Sequence, residues 1–257
     1  MQARWRRVIA GTVFLRRFRS LHEPPITGSY YNRNLSLPPR FEPSSSSPVT
    51  DSRCFSLDFL DAQNTGCRLN IKDSWGSLLL LDRFDFRNQL SDVVICEPLT
   101  QSYNVIPPWT PPAGGYLSTE LFLLESNDSA DAVGGISMSN FRVLCMAHGE
   151  SIVHAGVFTA AERAWQQTRV HETKMRFIGR AADSLYWYCE GWTVAALNHR
   201  TTEVEFSSFE LPSADCDPHD PRSIFNIMVT NWPRRGGTHC CRRAQWNSKS
   251  LCEAARR

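Results

Sequence analysis

Gly76-Ser77-Leu78-Leu79-Leu80-Leu81, then Val93-Val94-Ile95-Cys96-Glu97-Pro98-Leu99-Thr100, then Tyr103 and Ile106-Pro107 form the stretch that decides the fold, because it recurs. The second copy reads Asp183-Ser184-Leu185-Tyr186-Trp187-Tyr188, then Val194-Ala195-Ala196-Leu197-Asn198-His199-Arg200-Thr201, then Phe206, Phe209 and Leu211-Pro212. Both follow one template: a small polar residue and a strand, a second strand, a turn ending in Thr, and an aromatic strand closed by Pro. The Thr turn reverses the chain because its hydroxyl can bond nearby backbone groups. Such β-meanders repeated along a chain are the signature of propeller blades. The alternative is a pair of similar hairpins in an ordinary sandwich.

Working outward, short apolar or alternating runs at 54–60, 77–81, 92–96, 117–124, 140–147, 151–158, 174–178, 184–188, 193–197 and 204–209 read as strands, most of them ended by Gly, Pro, Asn or Asp. Phe141, Val143, Cys145 and Ala147 alternate as a half-buried strand should. Residues 154–158 and 165–170 look like a further strand pair between the copies. No crossover helix of adequate length separates these runs, which argues against a parallel α/β sheet. At about 40–50 residues per blade, residues 51–230 hold about four blades. The expected fold is therefore mainly β, a partial or open β-propeller-like meander array preceded by a short N-terminal helix and a disordered linker. An open array leaves strand edges that need cover.

The flanks differ in character. In residues 1–22, Trp5, Val8, Ile9, Val13, Phe14 and Phe18 recur at helical spacing among six arginines and no acid. So short a helix is not stable alone and must pack on something. The same basic, amphipathic composition also fits a mitochondrial presequence, which stands as the alternative. Residues 23–50, with Pro24-Pro25, Pro38-Pro39, Pro43, a serine run and Pro48, read as a disordered Pro/Ser-rich linker. Residues 231–257 read as a basic, disordered tail without strand pattern.

The 257 residues carry a net charge of only +2, which argues against a nucleic-acid-binding surface. The longest apolar run is too short to span a bilayer. Nine cysteines, an odd number without a C-x-x-C pair and without a signal-peptide pattern, point to free thiols in a reducing compartment, cytoplasmic or nuclear. Among candidate chemistry, His239, Cys240, Cys241 and Cys252 lack the ligand-pair spacing of a zinc site, so no metal or cofactor is expected. Glu150, Ser151 and His154 share one short strand, where positions i and i+3 point to opposite faces, so no relay forms. Gly114-Gly115 and Gly134-Gly135 lack a phosphate-loop context. The expectation is a non-enzymatic protein whose aromatics, Trp109 in its proline-rich loop together with Trp187 and Trp192, are candidate partner-binding residues.

Two segments carry a family resemblance. Arg4-Trp5-Arg6-Arg7-Val8-Ile9-Ala10 with Phe14-Leu15-Arg16-Arg17-Phe18-Arg19-Ser20-Leu21-His22 resembles the last helix of a plant F-box, and residues 94–108 and 181–212 resemble the strand pairs of F-box-associated β-propeller domains, most of all those of grasses. The resemblance implies a substrate-recognition protein of a cullin-RING ubiquitin ligase. Trp5, Val8, Ile9, Phe14 and Phe18 would then pack the helical remnant or face a Skp-type adaptor, and the β-domain of residues 51–230 would bind an unknown substrate protein. The Leu-Pro opening of an F-box is not present before this helix, so truncation at that end, impaired adaptor docking and even a non-functional gene remnant are further expectations.

Overall fold

A computed structural model describes residues 28–33, 37–45, 52–60, 67–86, 90–110, 118–125, 136–149, 152–171, 174–181, 184–189, 193–198, 206–210, 227–231 and 238–242. The expected helix of residues 1–22 lies outside them. The described chain is mainly β, and its strands form three four-stranded sheets and two hairpins.

The first sheet runs β3 (Cys67–Trp75), β4 (Leu78–Asp85), β5 (Leu90–Glu97) and β6 (Ser102–Ile106), each strand beside the one before it and every pairing antiparallel. The third sheet repeats that meander with β11 (Met175–Ala181), β12 (Ser184–Cys189), β13 (Thr193–Asn198) and β14 (Phe206–Glu210). The internal repeat is thus real, and it supplies the second, third and fourth strands of both sheets. Between them, β7 (Ser118–Glu125), β8 (Phe141–His148), β9 (Val153–Thr159) and β10 (Ala164–His171) form another four-stranded sheet in chain order. Among the described residues there are three such sheets, where chain length alone suggests about four.

Register corrects the repeat by one residue. Leu81 pairs with Val94 and Trp187 with Ala195, so the counterpart of Trp187 is Leu81 rather than Leu80. Once shifted, the bulges coincide. β3 slips between Ile71 and Asp73, opposite Leu81 and Leu80, and β11 slips between Phe177 and Gly179, opposite Trp187 and Tyr186. Each first strand therefore carries its extra residue at the same point of the meander, where a bulge bends an edge strand and raises its twist. The β3–β4 reversal needs only Gly76-Ser77, and Gly76 takes the φ of +62° that a tight turn demands.

The chain divides into two compact units. One comprises Met1–Pro112, Glu120–Cys145 and Gly156–Gln166, the other the intervening segments and Gln167–Arg257. In the first unit, sheet one is buried on both faces. Leu78, Leu80, Ile95 and Ile106 pack with Leu121, Leu123, Phe141, Val143, Cys145 and Phe158. On the other face, Leu69, Leu79, Leu81, Val94 and Cys96 pack with Leu57 and Leu60. Double-sided burial explains the unbroken run Leu78–Leu81. In the second unit, Ile178, Ala181, Tyr186, Tyr188, Val194 and Ala196 form a core on one face of the third sheet.

Three sequence expectations are corrected. Residues 54–60 are not a strand: Ser52–Phe55 and Asp58–Leu60 are 3-10 turns. Ser56 is the cause, since its Oγ accepts the Asp58 N–H at 3.2 Å while its own N–H donates to the Arg53 carbonyl, a local alternative to a ladder. Within the presumed linker of residues 23–50, β1 (Gly28–Tyr31) and β2 (Arg40–Pro43) pair as a hairpin. It is held by aromatic packing: Phe41 stacks on Phe55 at 4.3 Å, and the Tyr30 hydroxyl donates to the Phe55 carbonyl at 2.8 Å. The tail of residues 231–257 likewise contains a strand, β16 (Thr238–Arg242), paired with β15 (Ile227–Asn231).

Candidate functional site

The aromatic candidates separate on burial. Trp187 is 0% exposed, the largest fully buried side chain described, with Phe177 and Phe206 edge-on at 5.7 and 5.5 Å. It is a core residue, not the partner-facing ring expected from sequence, because no part of it reaches the surface. In a strand buried on both faces, alternation does not turn any residue outward.

Trp109 is half-buried and packs against the core shared by the first two sheets. Its ring lies over Gly156 and stacks with Trp165 at a centroid distance of 5.9 Å. Trp165 donates its Nε1–H to the Pro107 carbonyl at 2.7 Å and meets Phe158 edge-on at 5.5 Å. The Pro107-Pro108-Trp109 loop is thereby clasped onto β9 and β10 instead of displaying its ring. Trp192, Trp5, Val8, Ile9, Phe14 and Phe18 lie outside the described residues.

The chemistry candidates separate in the same way. His154 is buried within β9, while Glu150 and Ser151 lie outside the described residues, as do Cys252 and both Gly-Gly pairs. Among the described residues no group of three or more His, Cys, Asp or Glu side chains is placed to hold a metal ion. Burial pushes the Cys96 and Cys145 thiols up to about 12, so both stay protonated and un-nucleophilic at neutral pH. Burial, with the Cys96 sulfur nearby as a lesser cause, also raises the Tyr30 phenol.

What the sequence does not display is the contrast between the two edges of the first sheet. The β3 edge is guarded. Asn32 donates its Nδ2–H to the Ile71 carbonyl and accepts the Ile71 N–H on Oδ1, both at 2.8 Å, so its amide occupies one ladder position. The bulge and Arg68, Lys72 and Asp73 add further protection. Asp73 turns inward, its Oδ2 accepting the Leu123 N–H at 2.8 Å.

Among the described residues the β6 edge has none of these devices. It begins at the turn Glu97-Pro98-Leu99-Thr100, where the Glu97 carboxylate accepts hydrogen bonds from Ser77 at 2.5 Å and Thr100 at 2.8 Å. Thr100 Oγ1 also reaches the Glu97 carbonyl at 3.3 Å, the local hydroxyl–backbone bond expected of this turn, and Gln101 adopts φ +53°. Leu99 at its tip is 61% exposed. Along β6, Tyr103 and Val105 are each 44% exposed and lie on the same face, opposite Cys96 and Val94, with Phe59 beside Tyr103 at 6.3 Å. The result is an apolar strip beside a strand edge whose backbone no other described element bonds.

No model of a known protein family matches the chain, and no curated protein matches it. Among the described residues no helix is long and apolar enough to cross a membrane.

Proposed function

We propose that this chain is a non-enzymatic substrate-recognition protein of the F-box type, which holds target proteins on its β-domain for a cullin-RING ubiquitin ligase. The observation that supports the reading is the repeated meander. Residues 94–108, which hold the end of β5 and all of β6, and residues 181–212, which hold β12–β14, are the segments that resemble the strand pairs of F-box-associated domains, and the Glu97-Pro98-Leu99-Thr100 turn joins β5 to β6. In this reading Trp5, Val8, Ile9, Phe14 and Phe18 serve a Skp-type adaptor. Affinity capture of the full chain with a purified Skp-type adaptor is the test: specific retention that is lost on Trp5→Ala supports it, and no retention removes the ligase role.

A second reading rests on the six arginines and absent acids of residues 1–22, which would direct a β-rich protein to mitochondria. Imaging a fluorescent fusion carrying residues 1–27 decides it, since a diffuse signal excludes import.

A further inference from the structure

We infer that the free edge of β6 is a strand-addition site, which takes a short, extended, uncharged segment of a partner protein as a fifth strand of the first sheet. The inference deepens the protein-binding reading by stating where the partner sits and what its chemistry is. It starts from the inequality of the two edges. Asn32 fills a ladder position on β3, whereas among the described residues no group from outside the sheet bonds the backbone of Tyr103, Asn104 or Val105. Unpaired strand edges are templates for another strand, and proteins blunt them with charge, proline or a bulge. Ser102–Ile106 contains no charge or proline, and β6 pairs with β5 without a register shift.

The surroundings select the occupant. From residue 98 to residue 110 the chain has no charged side chain, so the strip itself offers no counter-ion to a Lys or Glu laid against Tyr103 or Val105. An apolar or β-branched residue there would meet those two side chains at cross-strand distance. The ladder is short, because Pro107 and Pro108 follow β6 and have no N–H to give. A stable dimer of two copies buries about 1,000 Å² or more. Five edge residues present far less, which favours a linear segment over a second copy. Main-chain bonds supply the affinity in such an arrangement, and the side chains at alternate positions supply the selectivity.

The probe for the experiment is a fluorescein-labelled, N-acetylated, C-amidated peptide of alternating Thr and Val. Fluorescence polarisation is read on the full chain, with an alternating Thr and Lys peptide as comparison. The Thr/Val probe should bind at least about tenfold tighter than the Thr/Lys probe. Tyr103→Lys and Val105→Lys should each weaken it about tenfold or more, while Phe209→Lys on β14 leaves it unchanged. If Tyr103→Lys loses the fold by circular dichroism, Val105→Lys alone carries the test. Equal binding of the two probes, no binding, indifference to Val105→Lys, or loss in Phe209→Lys instead would each overturn the inference. So would a dimer in sedimentation that Val105→Lys dissociates, since the edge would then belong to a second copy. Peptide binding needs no Skp-type adaptor, so failure here and failure of the ligase reading are told apart.

Discussion

Gly156→Ala tests whether the Trp109 clasp is built as described. A Cβ on Gly156 would sit 2.5 Å from Trp109 Cε2, 2.8 Å from Cζ2 and 2.9 Å from Cδ2. Carbon atoms in good contact stay about 3.5–4.0 Å apart, so the indole would have to retreat by about 1 Å. It cannot do so alone, since Trp165 stacks on it and is anchored through Nε1 to the Pro107 carbonyl and by its edge to Phe158. Forced overpacking of this kind costs about 1–3 kcal/mol, against about 0.4–1 kcal/mol returned by the stiffer unfolded chain. A net loss of about 1–2 kcal/mol is expected, a fall of roughly 2–8 °C in Tm for a chain of this size. Trp109→Ala alone should cost about 2–3 kcal/mol, below the range for a fully buried Trp because the ring is half-exposed. In that background the clash has no partner, so adding Gly156→Ala should cost nothing or stabilise slightly. Urea denaturation of the four proteins, followed by far-UV circular dichroism, gives the coupling directly. A Gly156→Ala cost that is the same with and without Trp109, or zero in both, would refute the clasp.

Trp187→Ala should destabilise by about 3–5 kcal/mol, whereas Val105→Ala on the exposed edge should stay within about 0.5 kcal/mol; denaturation midpoints compare them. Asp73→Ala removes a carboxylate acceptor of the Leu123 N–H and should cost about 1.5–3 kcal/mol, with Asp73→Asn losing less because it keeps an acceptor. Cys96 and Cys145 give a pH dependence of definite sign. Their folded-state values lie above the ordinary thiol value of 9.0, so the stability they contribute is complete below about pH 9 and is lost as pH rises toward about 12. The loss is about 1.4 kcal/mol per pH unit for each thiol across that window. Urea midpoints at increasing alkaline pH should show it, and a Cys96→Ala/Cys145→Ala variant should show a shallower slope. An unchanged slope would mean that neither thiol governs the alkaline limb.

How much of this was legible in the sequence depended on where the physical signal resides. The template that repeats from Gly76 and from Asp183 was readable because a turn chemistry, Thr after an apolar strand, marks the same reversal twice. Its register was not. Leu78–Leu81 and Leu185–Tyr188 are apolar at every position, and a strand without alternation has no face from which to fix pairing, so a slip of one residue leaves its pattern unchanged. Without alternation the sequence also cannot say which face Trp187 takes. Where the Trp109 ring goes is illegible for another reason: a proline-flanked Trp is compatible with a displayed or a packed ring, and only the bare Cα of Gly156, forty-seven residues away, makes room for it to lie flat. The β1–β2 hairpin was hidden by the prolines around it, because its support comes from Phe55 across the chain rather than from its own propensity. The edge of β6 belongs to a further class. Nothing within Ser102–Ile106 distinguishes it from any short strand, and the contrast emerges only beside β3, where Asn32 fills a ladder position that no described residue fills on β6. A sequence can state that a strand lacks gatekeepers; that the opposite edge of the same sheet has them is a fact of topology, and it is this difference that turns an exposed strand into a candidate interface.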